Sequence, residues 1–191
     1  MRIYTRTGDD GTTGLLHGGR VRKDHPAPAA CGDVDEAQAA LGVARALAGV
    51  EATKAAGPGT GAELGELLVG LERDLWVLMA ELATAAVNRE RLVPGRTLVT
   101  AEMVSALEPL IDDVTGRFPA PREFVLPGQT PLSAALDLAR TVVRRAERSA
   151  LAAAADGSLT VPYLNRLSDL LWALARWQEG TPLPSRPISE D

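Results

Sequence analysis

Arg140, Arg144 and Arg148 recur every fourth residue in the run Arg140-Thr141-Val142-Val143-Arg144-Arg145-Ala146-Glu147-Arg148. In a helix that spacing stacks three guanidinium groups along one face. Three like charges in a row repel one another unless anions lie opposite. A polyphosphate is one such anion, because the guanidinium fork meets phosphate oxygens in pairs. Carboxylates of another helix or subunit would serve equally, and a solvated basic stripe needs neither. Glu147 lies one turn from Arg144 and beside Arg148 in the same run.

A second group precedes it in the chain. Thr5-Arg6-Thr7-Gly8-Asp9-Asp10-Gly11-Thr12-Thr13-Gly14 interleaves glycines with threonines, and Lys23 follows. Glycines let backbone N–H groups approach an anion, threonine hydroxyls add donors, and Lys23 adds a full charge. No GxxxxGK[ST] occurs, and no strand–helix unit frames a dinucleotide fingerprint. By residue type alone, a disordered arm fits as well as a phosphate loop. Two further groups stand out. Asn165, Arg166 and Asp169 are polar within an apolar helical run, able to meet a ribose or a partner side chain, or simply to begin a helix. Asp33, Asp35 and Glu36 crowd a helix start, where the macrodipole favours negative charge, and Asp35 could instead pair with an arginine of the basic run.

The elements that must position these groups read as helices. Asp33 and Glu36 suggest a capping box for a first helix ending near Gly49. A loop is expected over 53–61, and a second helix over about 62–87, where Leu64, Leu67, Leu68, Leu71, Leu75, Leu78, Met79 and Leu82 form an apolar stripe. Pro94-Gly95 breaks the chain, and Thr100 caps a third helix to about Thr115. Phe124-Val125-Leu126-Pro127-Gly128 reads as a short apolar turn. Thr130, with Pro131 at the first helical position, starts a fourth helix to about Ala155, and Asp156-Gly157 ends it. A fifth covers about 161–178. Residues 1–30 are expected to be irregular and 181–191 a disordered, proline-rich tail. The expected fold is all-α: an antiparallel five-helix bundle in one domain, residues 1–180, with an irregular N-terminal loop.

Composition narrows the function. The 191 residues are 46% apolar, 24% charged and only 4% aromatic, an ordinary globular balance. A net charge of −5 and a pI near 5.1 disfavour general nucleic-acid binding. One cysteine, Cys31, leaves no intrachain disulfide and no Cys-based zinc site. The charged N-terminal residues do not read as a secretory signal, and no apolar run is long enough to span a membrane, so the cytoplasm is the expected compartment.

Taken in order, these segments resemble the PduO-type ATP:corrinoid adenosyltransferases. The resemblance runs from Ile3 to about Gln178. It is carried by Tyr4 to Gly14, by Gly32 with Asp35-Glu36, by Phe124 to Gly128, by Ala139-Arg140 through Glu147-Arg148, and by Leu164 to Asp169. Gln129 stands where a second glycine is usual, Ala37-Gln38 replace a common Leu-Asn, Trp172 replaces a frequent phenylalanine, and the loop around His17 is less glycine-rich than in some relatives.

The resemblance implies transfer of the adenosyl group of ATP to the cobalt of a corrinoid, in a homotrimer with active sites between subunits. By that similarity Thr5, Arg6, Thr7, Gly8, Thr13, Gly14 and Lys23 wrap the nucleotide. Arg144, Arg145, Ala146, Glu147 and Arg148 line the same site, and Asn165 holds the nucleoside. Arg144, Glu147 and Lys23 would act on the reacting groups. Phe124 would fill the lower axial side of the corrin, and Asp35 would pair with Arg140 across the subunit boundary. Mg²⁺ is expected on the ATP phosphates, with no protein metal ligands assigned. A cob(II)alamin reductase and a B12-dependent mutase are the partners implied. The contrasting reading is a carrier that binds ATP and finished adenosylcobalamin without making it.

Overall fold

The structure, a computed structural model, describes residues 3–54 and 60–186. Among them are six α-helices: α1 Pro26–Lys54, α2 Thr60–Leu82, α3 Ala101–Ser105, α4 Leu107–Thr115, α5 Pro131–Ala150 and α6 Thr160–Glu179. The expected third helix is two, α3 and α4. Pro109 supplies the break: it has no N–H, and its ring clashes with the carbonyl four residues back, in α3. Thr100 caps α3 by accepting from Met103 N.

The first helix starts seven residues earlier than the acidic cluster suggested. Pro26 and Pro28 lie in its first turn, where a missing N–H costs nothing. His25 Nδ1 accepts from Ala27 N at 3.1 Å, and the His25 carbonyl accepts from Ala29 N at 3.2 Å. Asp33 and Glu36 are therefore mid-helix residues, not caps, and α1 continues through Gly49. The expected connection around Gly57 falls on residues outside the described ones. Helix α2 stops at Leu82, short of Val87, and a 3-10 turn follows at Ala86–Arg91. Helix α5 begins as expected, with a reciprocal Thr130–Ser133 capping box and Pro131 in its first turn, but it ends at Ala150, not Ala155.

Helices α1, α2, α5 and α6 form the core, each antiparallel to its neighbours. Cys31 meets Met79 and Gln38 meets Glu72 between α1 and α2. Asp33 meets Ser149 between α1 and α5. Asp137 meets Arg176 between α5 and α6, and Asp74 meets Tyr163 between α2 and α6. Helices α2 and α5 thus occupy opposite corners, and α4 packs on α6. The inward stripe of α1 is Ala30, Val34, Ala37, Leu41, Ala44 and Ala48, all buried. Its alternating steps of three and four residues suit antiparallel packing, and its alanines let the leucines of α2 and α6 fill the space between helices. That is how a chain so poor in aromatic residues closes a core.

Two small antiparallel ribbons decorate the bundle. In the first, β1 (Thr12–Gly14) pairs with β2 (Arg20–Arg22), Thr13 opposite Val21, so the leading thirty residues are more ordered than their glycine content suggested. In the second, β3 (Val125–Leu126) pairs with β4 (Leu183–Pro184), and Ser185 N donates to the Phe124 carbonyl at 2.7 Å. The chain after Gly180 is therefore strapped to the Phe124 segment as far as it is described, where its prolines suggested disorder. Residues 187–191 lie outside the described residues.

Candidate active site

The leading segment is built around two close approaches. A Cβ at Gly8 would lie 3.0 Å from the Thr12 carbonyl oxygen and 3.2 Å from Lys23 Nζ. Glycine lets the loop close down on this lysine without displacing the Thr12 carbonyl. Lys23 N donates to the Gly11 carbonyl at 2.9 Å, and Arg20 Nη2 donates to the Thr7 carbonyl at 2.7 Å. Thr5 and Thr7 share a hydroxyl contact of 2.8 Å. Arg6 has φ 62° and His17 φ 64°, left-handed backbone that side chains with a Cβ adopt only under constraint, and such strain clusters at ligand sites. The segment is anchored on α2 and its exit: Leu16 N donates to the Ala83 carbonyl at 2.8 Å and Arg91 Nη1 to the His17 carbonyl at 3.0 Å.

Buried Glu81 fixes that anchor. Its carboxylate accepts from Arg89 of the 3-10 turn at 2.8 Å, from Ser158 before α6 at 2.7 Å and from Val99 N at 2.8 Å. The sequence reading missed this hub. A single acidic residue ending a leucine stripe was the available signal.

The basic run of α5 divides by function. Arg145 is claimed by Asp33 at 3.3 Å and by Glu36, both on α1, and these carboxylates raise its already high pKa. Ala146 is fully buried, so its side chain faces the core and not a ligand. Glu147 accepts from Asn165 Nδ2 at 3.1 Å, and Asn165 Oδ1 accepts from Arg166 Nη1 at 2.8 Å. The Glu147–Asn165 pair was expected at one site, and the structure brings the two together. Asp169, one turn on, is exposed and lines a groove facing α4 instead. Arg148 donates to the Arg144 carbonyl at 2.8 Å. Among the described residues the Arg144 guanidinium has no ion-pair partner.

Lys23 just before α1, the last turns of α5 and the first turns of α6 all lie at one end of the bundle. Within the chain, however, the hydrogen bonds of residues 5–23 run to the loop itself and to the α2 corner. Among the described residues none reaches α5, which stands at the opposite corner.

Farther along α5, a cleft of about 890 Å³ opens between the β3–β4 ribbon, α5 and α6. Phe124, largely exposed, lines it with Arg140, Asp137, Trp172 and Arg176. Phe124 and Arg140 were singled out from the sequence separately, and here they share a wall. Trp172 packs edge-on to Phe118 at 6.2 Å. Gly128 takes φ 112°, whereas no positive φ falls on Gln129, so the turn does not need a second glycine there. Beneath the cleft lies a buried charge cluster that the sequence reading missed. Arg176 Nη2 contacts Asp137 Oδ2 at 2.5 Å and Glu179 Oε2 at 2.9 Å, and Arg140 Nε contacts Asp137 Oδ1 at 3.0 Å. Burial raises the Glu179 pKa, Arg176 opposes that shift and Asp137 adds to it. The available signal was a lone arginine in the apolar run Leu170 to Trp177. Asp35 is exposed on α1, and within the chain Arg140 takes Asp137.

A family model described as cobalamin adenosyltransferase matches residues 3–178. A corrinoid adenosyltransferase of Mycobacterium tuberculosis is 45% identical over 180 residues, covering 92% of this chain and 87% of that protein. The corrinoid adenosyltransferase PduO of Salmonella typhimurium is 38% identical over 183 residues, covering 94% of this chain and 50% of that protein. Among solved structures, a variant PduO-type ATP:corrinoid adenosyltransferase from Lactobacillus reuteri, complexed with cobalamin and ATP, superposes with a TM-score of 0.81 at 29% identity, over 97% of each chain. A second variant of that type, complexed with ATP, gives 0.78 at 28% identity, over 96% of this chain and all of that one.

Proposed function

Because the chain belongs to the cobalamin adenosyltransferase family and is a transferase enzyme, we propose that it transfers the 5′-deoxyadenosyl group of ATP to Co(I) of a corrinoid and releases triphosphate. In this reading the Co(I) electron pair attacks the ribose C5′. The Co–C bond forms from that pair as the C5′–O bond breaks, and the triphosphate leaves with the electron pair of the C5′–O bond. The chain's task is to hold the two substrates in line and to stabilise the charge that develops on the leaving group.

The observation that carries the reading is the uncommitted Arg144 guanidinium beside the Glu147–Asn165 pair. A half-exposed polar pair suits a ribose or adenine edge, and a free cation one turn away suits phosphate. The Gly8–Lys23 loop supplies the complementary half, N–H groups and an ammonium. Its anchoring at the α2 corner supports a site completed by the loop of a neighbouring subunit in a homotrimer. Magnesium would arrive on the ATP phosphates, where it would help neutralise the leaving group. The corrinoid would occupy the Phe124 cleft, with the apolar ring excluding water from the lower face of cobalt.

The test is anaerobic single-turnover mixing of the protein with ATP and chemically reduced cob(I)alamin, followed by absorbance. Growth of the adenosylcobalamin spectrum with stoichiometric triphosphate is the expected result. Binding of both ligands with no Co–C bond formed would make the protein a carrier instead.

A further inference from the structure

The buried cluster under the cleft points to a residue that acts through another. Asp137 is almost wholly buried on α5, yet it carries a carboxylate whose two oxygens are both committed. Oδ1 accepts from Arg140 Nε at 3.0 Å and Oδ2 from Arg176 Nη2 at 2.5 Å. Arg176, on α6, is as deeply buried as Asp137 and is held from its other side by Glu179. The Asp137 carboxylate therefore cannot swing, because it is bound to a guanidinium that is itself fixed in the wall between α5 and α6. Arg140 differs: its side chain is 27% exposed and lines the cleft.

The bond from Asp137 reaches Arg140 at Nε, the inner edge of the guanidinium. That leaves the two terminal nitrogens, each with two N–H groups, free of partners among the described residues. A guanidinium held by Nε has one orientation left for its outer fork, and preorganisation of that kind removes most of the ordering cost a flexible arginine would bring to an interaction. Burying a carboxylate costs free energy that this one recovers only through its two charged partners. A merely structural link between α5 and α6 would need Arg176 alone and not the second oxygen on Arg140.

We propose that Asp137 is the positioning residue of the cleft: it fixes the Arg140 fork against the Phe124 wall, so that Arg140 meets acceptor oxygens of the corrinoid in one defined orientation. The proposal rests on the reading of this cleft as the corrinoid face. It predicts that charge at position 140 is insufficient and that the geometry of the fork matters.

The experiment measures KM for cob(I)alamin and for ATP in full-length Arg140→Lys, Arg140→Ala, Asp137→Asn, the Asp137→Asn/Arg140→Ala double variant and Phe124→Ala. Arg140→Lys keeps the charge but has no Nε to be held, and Arg140 is not in the core, so folding is not at issue. It should raise the corrinoid KM about as much as Arg140→Ala does, by ~10-fold or more, the scale of a lost charge-assisted hydrogen bond. The KM for ATP should stay within about twofold, since the residues proposed to hold ATP lie elsewhere. Asp137→Asn should do the same in the wild-type background and add almost nothing in the Arg140→Ala background. A lysine at 140 that behaves as wild type would overturn the proposal, as would multiplicative effects of Asp137→Asn and Arg140→Ala. If Phe124→Ala raises the corrinoid KM while the variants at 137 and 140 do not, only the positioning role falls. If none of the five alters corrinoid binding, the reading of the cleft itself fails.

Discussion

Arg144 and Arg145 are adjacent and chemically identical, and their surroundings give them different tasks. Arg145 already has two carboxylates, and Arg144 has none among the described residues. A cation that lacks a partner in the free protein can stabilise a leaving group without first giving up another anion. Arg144→Ala should therefore lower turnover by at least ~10²-fold, the scale set by loss of one preorganised anion donor. Steady-state assays with saturating ATP check this, and wild-type turnover would remove Arg144 from the mechanism. Phe124→Ala should admit water below cobalt, so that EPR of the Co(II) corrinoid with ATP shows the five-coordinate, water-ligated form. A four-coordinate signal of full amplitude would contradict that role. Cys31 is a poor nucleophile in this setting. Burial, and then the nearby Asp35 charge, push its thiol up to about 11. A raised thiol pKa means the neutral form persists, with a thiolate fraction of about one in a thousand at pH 8. Alkylation of the native protein at pH 8 should be correspondingly slower than of the unfolded chain, and equal rates would contradict the burial.

At the scale of elements, what the sequence displayed was local chemistry. Thr130 with Pro131 announced the start of α5, and Thr100 that of α3, because a cap is a property of four or five consecutive residues. The leucine stripe of α2 was equally plain. The start of α1 was hidden because prolines read as breakers and only position within the first turn makes them harmless. The α3–α4 break needed attention to one proline inside an otherwise periodic run. Of the site, the Glu147–Asn165 meeting was legible as two marked segments. The Asp137–Arg176–Glu179 cluster was not, since it joins residues 39 positions apart whose partnership only packing reveals. The ribbon joining Leu183–Pro184 to Val125–Leu126 is non-local in the same way. Thr130 also ties two elements, accepting from Ser133 N while its hydroxyl donates to the Gln178 carbonyl of α6 at 3.3 Å. Thr130→Ala should cost about 1 kcal/mol and lower Tm by ~2–4 °C, measured by thermal denaturation. An unchanged Tm would show that Pro131 and packing alone set the start of α5.

At the scale of the whole molecule, an acidic chain carries a row of arginines along one face of α5. The row from Arg140 to Arg148 spans about 12 Å of α5 at 1.5 Å per residue. It runs from the Phe124 cleft to the end of the bundle where Glu147 meets Asn165, the same end at which the chain enters α1 after Lys23. On the proposed reading the corrin lies at one end of that row and the triphosphate at the other. The loop that would close the phosphate end is anchored at the corner away from α5, so closing that end calls for a neighbour's loop. Mixing subunits tests this most directly. Lys23→Ala and Arg144→Ala proteins should each be nearly inactive alone. Unfolded together in equal amounts and reassembled, they should regain about a quarter of wild-type activity, the fraction of head-to-tail interfaces that pair an intact loop with an intact arginine row. If the mixture stays as inactive as its parents while a wild-type control reassembles fully, loop and arginine row do not meet across subunits, and the proposed site is wrong.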